Sequence, residues 1–323
     1  MRRRALLASG CAAAGALLLP GCVALQTPRA LAIGTPPAEP RPQQPGQIAG
    51  KILFVKAGDL WVYADGRQKQ LTTGLRYEGP AWSPDGQLIA ASVVGENHSD
   101  LVILTSTGER VRQLTRNLSN VSVQNQAWAR KPAWSPSGQQ IAFITDQGYV
   151  DMSLSVVPSA GGAARKLVVH QIGGGGTDWP TWEPEGTHIA YADFSERLSR
   201  IFLYNVENTT FKPITEFPEG ALDPDWSPDG QWIAFTGREA RRSDIYVMRP
   251  DGTSVTRLTD NGASRAPAWS PDGQMLAFIT TSNSSFDIAV VRVSLGSAVS
   301  ASGPRQLTNG ERIEGPSGLS WTV

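Results

Sequence analysis

The pentapeptide Trp-Ser-Pro-Asp-Gly occurs from Trp82, Trp226 and Trp269, with the variants WSPSG from Trp134 and WEPEG from Trp182. These tryptophans are spaced by 52, 48, 44 and 43 residues, and a further 52 lead to Trp321 near the C-terminus. A period of this size signals an array of supersecondary units, each burying its faces only against its neighbours. Within SPDG, proline sets φ for the first turn position and Asp suits the second. Gly accepts the left-handed conformation that returns the chain as a hairpin. An alternating segment follows each turn, as in Gln87-Leu88-Ile89-Ala90-Ala91-Ser92. A third strand then opens on aspartate in most copies, at Asp100, Asp244 and Asp287. A shorter fourth ends in Leu-Thr or a close relative, at Leu114-Thr115, Leu167-Val168, Ile214-Thr215, Leu258-Thr259 and Leu307-Thr308. Four strands per period predict a propeller blade.

The chain ends fix the number of blades. Ile52–Val55, Asp59–Tyr63 and Gln70-Leu71-Thr72 read as strands two, three and four of a blade that lacks its first. Gly318–Val323 reads as a first strand that lacks the rest. The halves are complementary, so the expectation is an all-β, six-bladed β-propeller whose sixth blade is closed by N- and C-terminal strands. Closure of that kind covers the sheet edges that the two incomplete halves would otherwise expose.

The register and recurrence of the WSPDG element resemble the TolB-like propeller repeats, which are related to WD-type repeats. The resemblance spans Lys51 to Val323. It implies the propeller alone, because the α/β domain that precedes the propeller in that family has no counterpart in residues 23–50, which read as linker. The leading expectation of function is a non-enzymatic binding module. The third repeat departs furthest, with WEPEG and a Gly173–Gly176 run before Trp179-Pro180.

Composition agrees with a turn-rich all-β chain: 33 Gly, 23 Pro and 10 Trp among 323 residues, with 18% charged. Met1-Arg2-Arg3-Arg4 followed by the apolar run Ala5–Leu19 has the layout of an export signal, too short to span a bilayer. It ends in Leu19-Pro20-Gly21-Cys22, which resembles the lipobox of bacterial lipoproteins and marks Cys22 for lipidation. The expected organisation is a signal peptide with lipobox at 1–22, a Pro-rich linker at 23–50 and the propeller at 51–323. The protein is then exported and lipid-anchored to a cell membrane, on its periplasmic or extracellular face. Loss of residues 1–21 takes the formal charge from 29 − 29 = 0 to 26 − 29 = −3. A weakly acidic body lacks the basic face that nucleic acid requires.

Candidate chemistry is sparse. The histidines, His98, His170 and His188, fall at no metal-ligand spacing, and the body has no cysteine after Cys22. No GxSxG element occurs, and Asp85, Asp229 and Asp272 read as turn formers. Neither a metal nor another cofactor is therefore expected. The equivalent tryptophans Trp82, Trp134, Trp182, Trp226, Trp269 and Trp321 read as packing between neighbouring blades. Residues that break the repeat at the start of each inner strand are the candidate channel-rim site. Four residues before each tryptophan stand Glu78, Arg130, Asp178, Leu222, Arg265 and Ser317, with Lys131, Trp179, Asp223, Arg312 and Glu314 nearby. Charges of both signs on one concave rim suit a protein, peptide or polar envelope partner bound by a monomer. The alternatives are a channel-based enzyme such as a metal-dependent lactonase or lyase, or a ligand sensor, since six-bladed propellers host such chemistry.

Overall fold

In the computed structural model, which describes residues 48–119, 122, 126–148, 151–168, 175–194, 198–282, 285–296 and 298–323, each SPDG element is a hairpin turn. The Ser83 hydroxyl donates to Asp85 Oδ1 at 2.6 Å and accepts from Leu88 N at 2.9 Å, while Asp85 also accepts from Gln87 N at 3.1 Å. Gly86 sits at φ 66° and donates to Ser83 O at 2.8 Å. The same serine–aspartate bond recurs at Ser227–Asp229 (2.5 Å) and Ser270–Asp272 (2.6 Å). In the third copy Glu183 replaces the serine and meets His188 Nδ1 at 2.8 Å, and His188 Nε2 in turn lies 3.2 Å from Asn205 Nδ2. The departure of WEPEG is thus a compensated exchange inside one blade.

The turns organise six antiparallel sheets, ordered from the inner strand outward. The inner strands of blades one to five are Tyr77–Trp82, Ala129–Trp134, Thr177–Trp182, Ala221–Trp226 and Ser264–Trp269. Blade six is the composite: Ser320–Thr322 pairs with Lys51–Lys56, followed by Asp59–Ala64 and Arg67–Gln70. Its closing ladder aligns Lys51 with Thr322, Ile52 with Trp321 and Leu53 with Ser320. Blade five has an extra strand, Val299–Ala301, on its long third strand Ser285–Leu295.

The core is divided among six clusters, each shared by two neighbouring blades and each holding one repeat tryptophan. Trp82 packs on Leu53, Val55 and Leu60 of blade six as well as Ile89 and Val102 of its own blade. Trp321 reaches Ile279 and Ile288 of blade five together with Ile52 and Phe54. Because both faces of every sheet are covered, the second and third strands run as continuous apolar stretches, such as the buried Ile52–Val55.

A second repeated device ties the outer strands. The aspartate that opens strand three accepts from a threonine hydroxyl just after strand four, and that hydroxyl accepts a backbone N–H of strand three. Thr259 Oγ1 donates to Asp244 at 3.0 Å and accepts from Ile245 N at 2.9 Å. Equivalent latches join Asp59 to Thr72, Asp100 to Thr115 and Asp287 to Thr308. Among the described residues no helix is long and apolar enough to cross a membrane. Cys22, the expected signal and nearly all of the linker lie outside the described residues, as do His170 and part of the Gly173–Gly176 run.

Candidate functional site at the channel mouth

Inner strands are edge strands, because one side of each faces the ring axis rather than another strand. Proline is tolerated on such an edge, and Pro80, Pro132, Pro180, Pro224 and Pro267 stand two residues before the first five tryptophans. Each of these five strands carries a bulge beside its proline: the register jumps between Glu78 and Ala81, Arg130 and Ala133, Asp178 and Thr181, Leu222 and Asp225, and Arg265 and Ala268.

The bulge has one backbone consequence in its five blades, and blade six has a glycine of positive φ at the same position without a bulge. The residue three before the tryptophan is left-handed: Gly79 (φ 58°), Lys131 (52°), Trp179 (47°), Asp223 (51°), Ala266 (51°) and Gly318 (75°). Glycine adopts this region without penalty, whereas a side chain there is strained. Bulges also re-aim side chains. Lys131, Trp179, Asp223 and Ala266 line a central cavity of about 560 Å³, whereas Glu78, Arg130, Asp178, Leu222 and Arg265, one residue earlier, do not.

The charged groups of blades one to four are linked at this mouth. Arg130 Nη2 donates to Glu78 Oε2 at 2.5 Å, and Arg76 reaches the other Glu78 oxygen at 3.3 Å. Lys131 Nζ stands 4.5 Å from the centroid of the Trp179 ring and donates to the carbonyl of Pro316 in the segment entering blade six. Asp178 Oδ1 accepts from Trp179 N at 2.9 Å. Asp223 is 2% exposed, and its Oδ2 accepts from Thr236 Oγ1 at 2.7 Å and Ala266 N at 3.1 Å, with Arg265 Nε at 4.0 Å. Burial holds the Lys131 ammonium below its usual range, an effect that Asp178 and Asp223 only partly offset. Burial likewise raises the Asp178 carboxyl against the lowering influence of Lys131.

Ser317 lines the cavity beside these residues, but Arg312 and Glu314 do not. The Glu314 carboxylate accepts from Gly58 N at 2.8 Å and so fixes the blade-six hairpin, while Arg312 is exposed. The repeat tryptophans also border the cavity, behind their inter-blade packing.

Further along the channel lining, the residue before each tryptophan is small or hydroxylated in five blades: Ala81, Ala133, Thr181, Ala268 and Ser320. Blade four has Asp225 instead. Its Oδ2 accepts from Trp269 N at 2.8 Å and Thr181 donates to the same carboxyl, yet burial pushes its pKa up to about 7. Sequence reasoning passed over this residue, although Pro-Asp-Trp among Pro-Ala-Trp copies was a visible signal. Among the described residues no three His, Cys, Asp or Glu side chains converge as a metal site would require.

Residues 177–313 match the family described as TolB beta propeller domain. No curated protein matches the chain. TolB from Acinetobacter baumannii is similar in structure, with a TM-score of 0.67 at 17% identity over 86% of this chain and 67% of that one. A putative TolB from Agrobacterium tumefaciens has a TM-score of 0.63 at 20% identity, covering 85% and 98% of the two chains. Oligogalacturonate lyase from Vibrio parahaemolyticus is less similar, with a TM-score of 0.52 at 11% identity over 80% of this chain and 73% of that one. At these identities the likeness concerns the fold.

Proposed function

We propose that this chain, a TolB-like six-bladed propeller, is a non-enzymatic binding module that captures a polypeptide at its channel mouth while lipid on Cys22 tethers it to the outer face of a bacterial membrane. The observation that carries the reading is the left-handed ring. Gly79 and Gly318 show that glycine serves this position, yet Lys131, Trp179 and Asp223 hold recognition side chains there at a conformational cost of roughly 1 to 3 kcal/mol each. Ala266 meets the same strain with a methyl group alone, whereas Lys131, Trp179 and Asp223 bring a charge or a large ring to the cavity. The set combines a large aromatic face, cations and carboxylates around a concave opening, which suits a polar, extended segment better than an apolar small molecule. The same site on the monomer needs no second copy and no cofactor, and the weakly acidic body speaks against nucleic acid.

The test compares the parent with a Trp179→Gly, Arg130→Ala double variant in capture from crosslinked envelope extracts. Glycine relieves the strain at 179, so melting should shift by only a few degrees while capture falls at least about tenfold. Equal capture by both proteins would remove the mouth from consideration. A Cys22→Ser variant should lose lipid labelling and leave the membrane fraction, and persistence of both would refute the anchor.

A further inference from the structure

An ammonium group already has three kinds of partner at the mouth. Lys131 Nζ faces the Trp179 ring, donates to Pro316 O, and lies in the field of Asp178 and Asp223. Aromatic faces, carbonyl oxygens and carboxylates are the groups that recognise an ammonium. They come from different places in the ring: Asp178 and Trp179 from blade three, Asp223 from blade four, and Pro316 from the entry to blade six. The occupant comes from blade two. Ring closure does not need a lysine here, since equivalent positions hold Gly79, Ala266 and Gly318.

A second observation is independent of Lys131. Asp223 is almost wholly buried, and its Oδ2 is satisfied, but its Oδ1 has no hydrogen-bond partner. Buried carboxylate oxygens without a donor are rare because the lost hydration is not replaced. Asp223 lines the cavity. The mouth therefore has acceptor capacity beyond what the protein itself uses.

We propose that the channel mouth is a receptor for a primary ammonium, carried by a lysine side chain or an N-terminal amine of the partner, and that Lys131 fills it as an internal stand-in until the partner displaces it. This rests on the mouth being the polypeptide site. The stand-in is tethered, so it competes at an effective concentration on the order of millimolar. Removing it exposes Asp223 and the Trp179 face to an incoming amine, with the Asp178 carboxyl acting on it through its field. A partner must therefore outcompete Lys131, which sets a threshold against free amines and favours ligands that gain further contacts along the cavity wall.

The experiment is calorimetric titration of the full chain and its Lys131→Met variant with three probes. These are Nα-acetyl-lysine amide for the side-chain source, alanyl-alanine amide for the terminal-amine source, and Nα-acetyl-norleucine amide as the uncharged control. Methionine keeps an unbranched apolar stem at the same backbone position. The variant should bind one of the two amines at least about tenfold more tightly than the parent does. It should ignore norleucine amide, and adding Trp179→Gly should abolish the gain. Equal affinity in parent and variant, or norleucine amide bound as well as the amines, would overturn the proposal. A measurement on the unmutated chain guards against misfolding of the variant. The Lys131 side-chain protons should show an upfield ring-current shift that disappears at saturating amine, and a shift unmoved by amine would equally overturn it. Partner capture plays no part in these titrations. Their failure refutes the ammonium receptor alone, whereas amine binding without polypeptide capture refutes the functional reading on which it stands.

Discussion

Removing residues 318–323 takes away the inner strand of blade six, and the structure allows the cost to be built up from its parts. The three-residue ladder to Lys51–Leu53 is lost, and with it the Trp321 indole, which packs on Ile52, Phe54 and Ile279 and donates to Ala49 O at 2.8 Å. Loss of a buried tryptophan costs about 3 to 5 kcal/mol, and partial burial places Trp321 near the lower figure. Trp82 N, which donates to Ser320 Oγ at 3.0 Å across the seam, loses its acceptor for about a further 1 to 3 kcal/mol. The sum, roughly 4 to 6 kcal/mol, is comparable with the roughly 5 to 15 kcal/mol that holds a domain folded. At about 2 to 4 °C per kcal/mol for a large domain, melting followed by circular dichroism should fall by roughly 10 to 20 °C. A circular permutant that makes blade six continuous should regain the parent's melting temperature, and the missing hexapeptide supplied at high concentration should recover part of it. A truncated chain that melts within about 2 °C of the parent would show that the terminal strand contributes nothing to closure, and the energetic account would fail.

Two further substitutions probe carboxylates of the propeller, Asp225 on the channel lining and Asp287 buried within a blade. Asp225 titrates near 7 when folded against 3.8 as an ordinary carboxyl, so folding takes up a proton between those values. Its contribution is complete below about pH 4 and declines as pH rises to about 7, so melting of the parent should fall from pH 5 to 8 more steeply than that of Asp225→Asn. Parallel profiles would refute that titration. Asp287 is fully buried and accepts from Thr308 Oγ1 (3.0 Å), Gly310 N (3.0 Å) and Glu311 N (3.2 Å). Replacing it with alanine leaves these donors unmatched and should lower urea stability by about 2 to 4 kcal/mol, with a loss under about 1 kcal/mol counting against the latch.

Architecture was legible because it is written redundantly. The tryptophan spacing recurs, the turn chemistry is local, and the two incomplete ends of the chain complement one another. The Ile52–Trp321 pairing follows once both halves are recognised. The channel was less legible, for a geometric reason. The bulge before the first five tryptophans interrupts the alternation of the inner strand. Counting back from the tryptophan therefore offered Arg130 and Lys131, or Asp178 and Trp179, together, and could not tell that Lys131, Trp179 and Asp223 line the cavity while Arg130, Asp178 and Leu222 do not. A bulge is a property of pairing between two strands and leaves little trace in either alone. The latch between Asp244 and Thr259 escaped for a similar reason: both residues were noted as repeat marks, but only the register brings them within 3.0 Å. Glu314 satisfied the sequence pattern of a rim charge, yet it serves as the acceptor for Gly58 N.

The closing strand also decides how the domain meets a pull on its N-terminal end. Lys51–Lys56 lies between Ser320–Thr322 on one side and Asp59–Ala64 on the other. Tension entering at Lys51 along the strand axis loads the hydrogen bonds to both neighbours in shear, so they must fail together rather than unzip one at a time from an edge. The five residue pairs to Asp59–Tyr63 and the three to the C-terminal strand share that load, and Trp321 holds Ala49 just ahead of the point of entry. A chain pulled from this end grips its own ring more firmly than one attached through an outer strand, which would peel away.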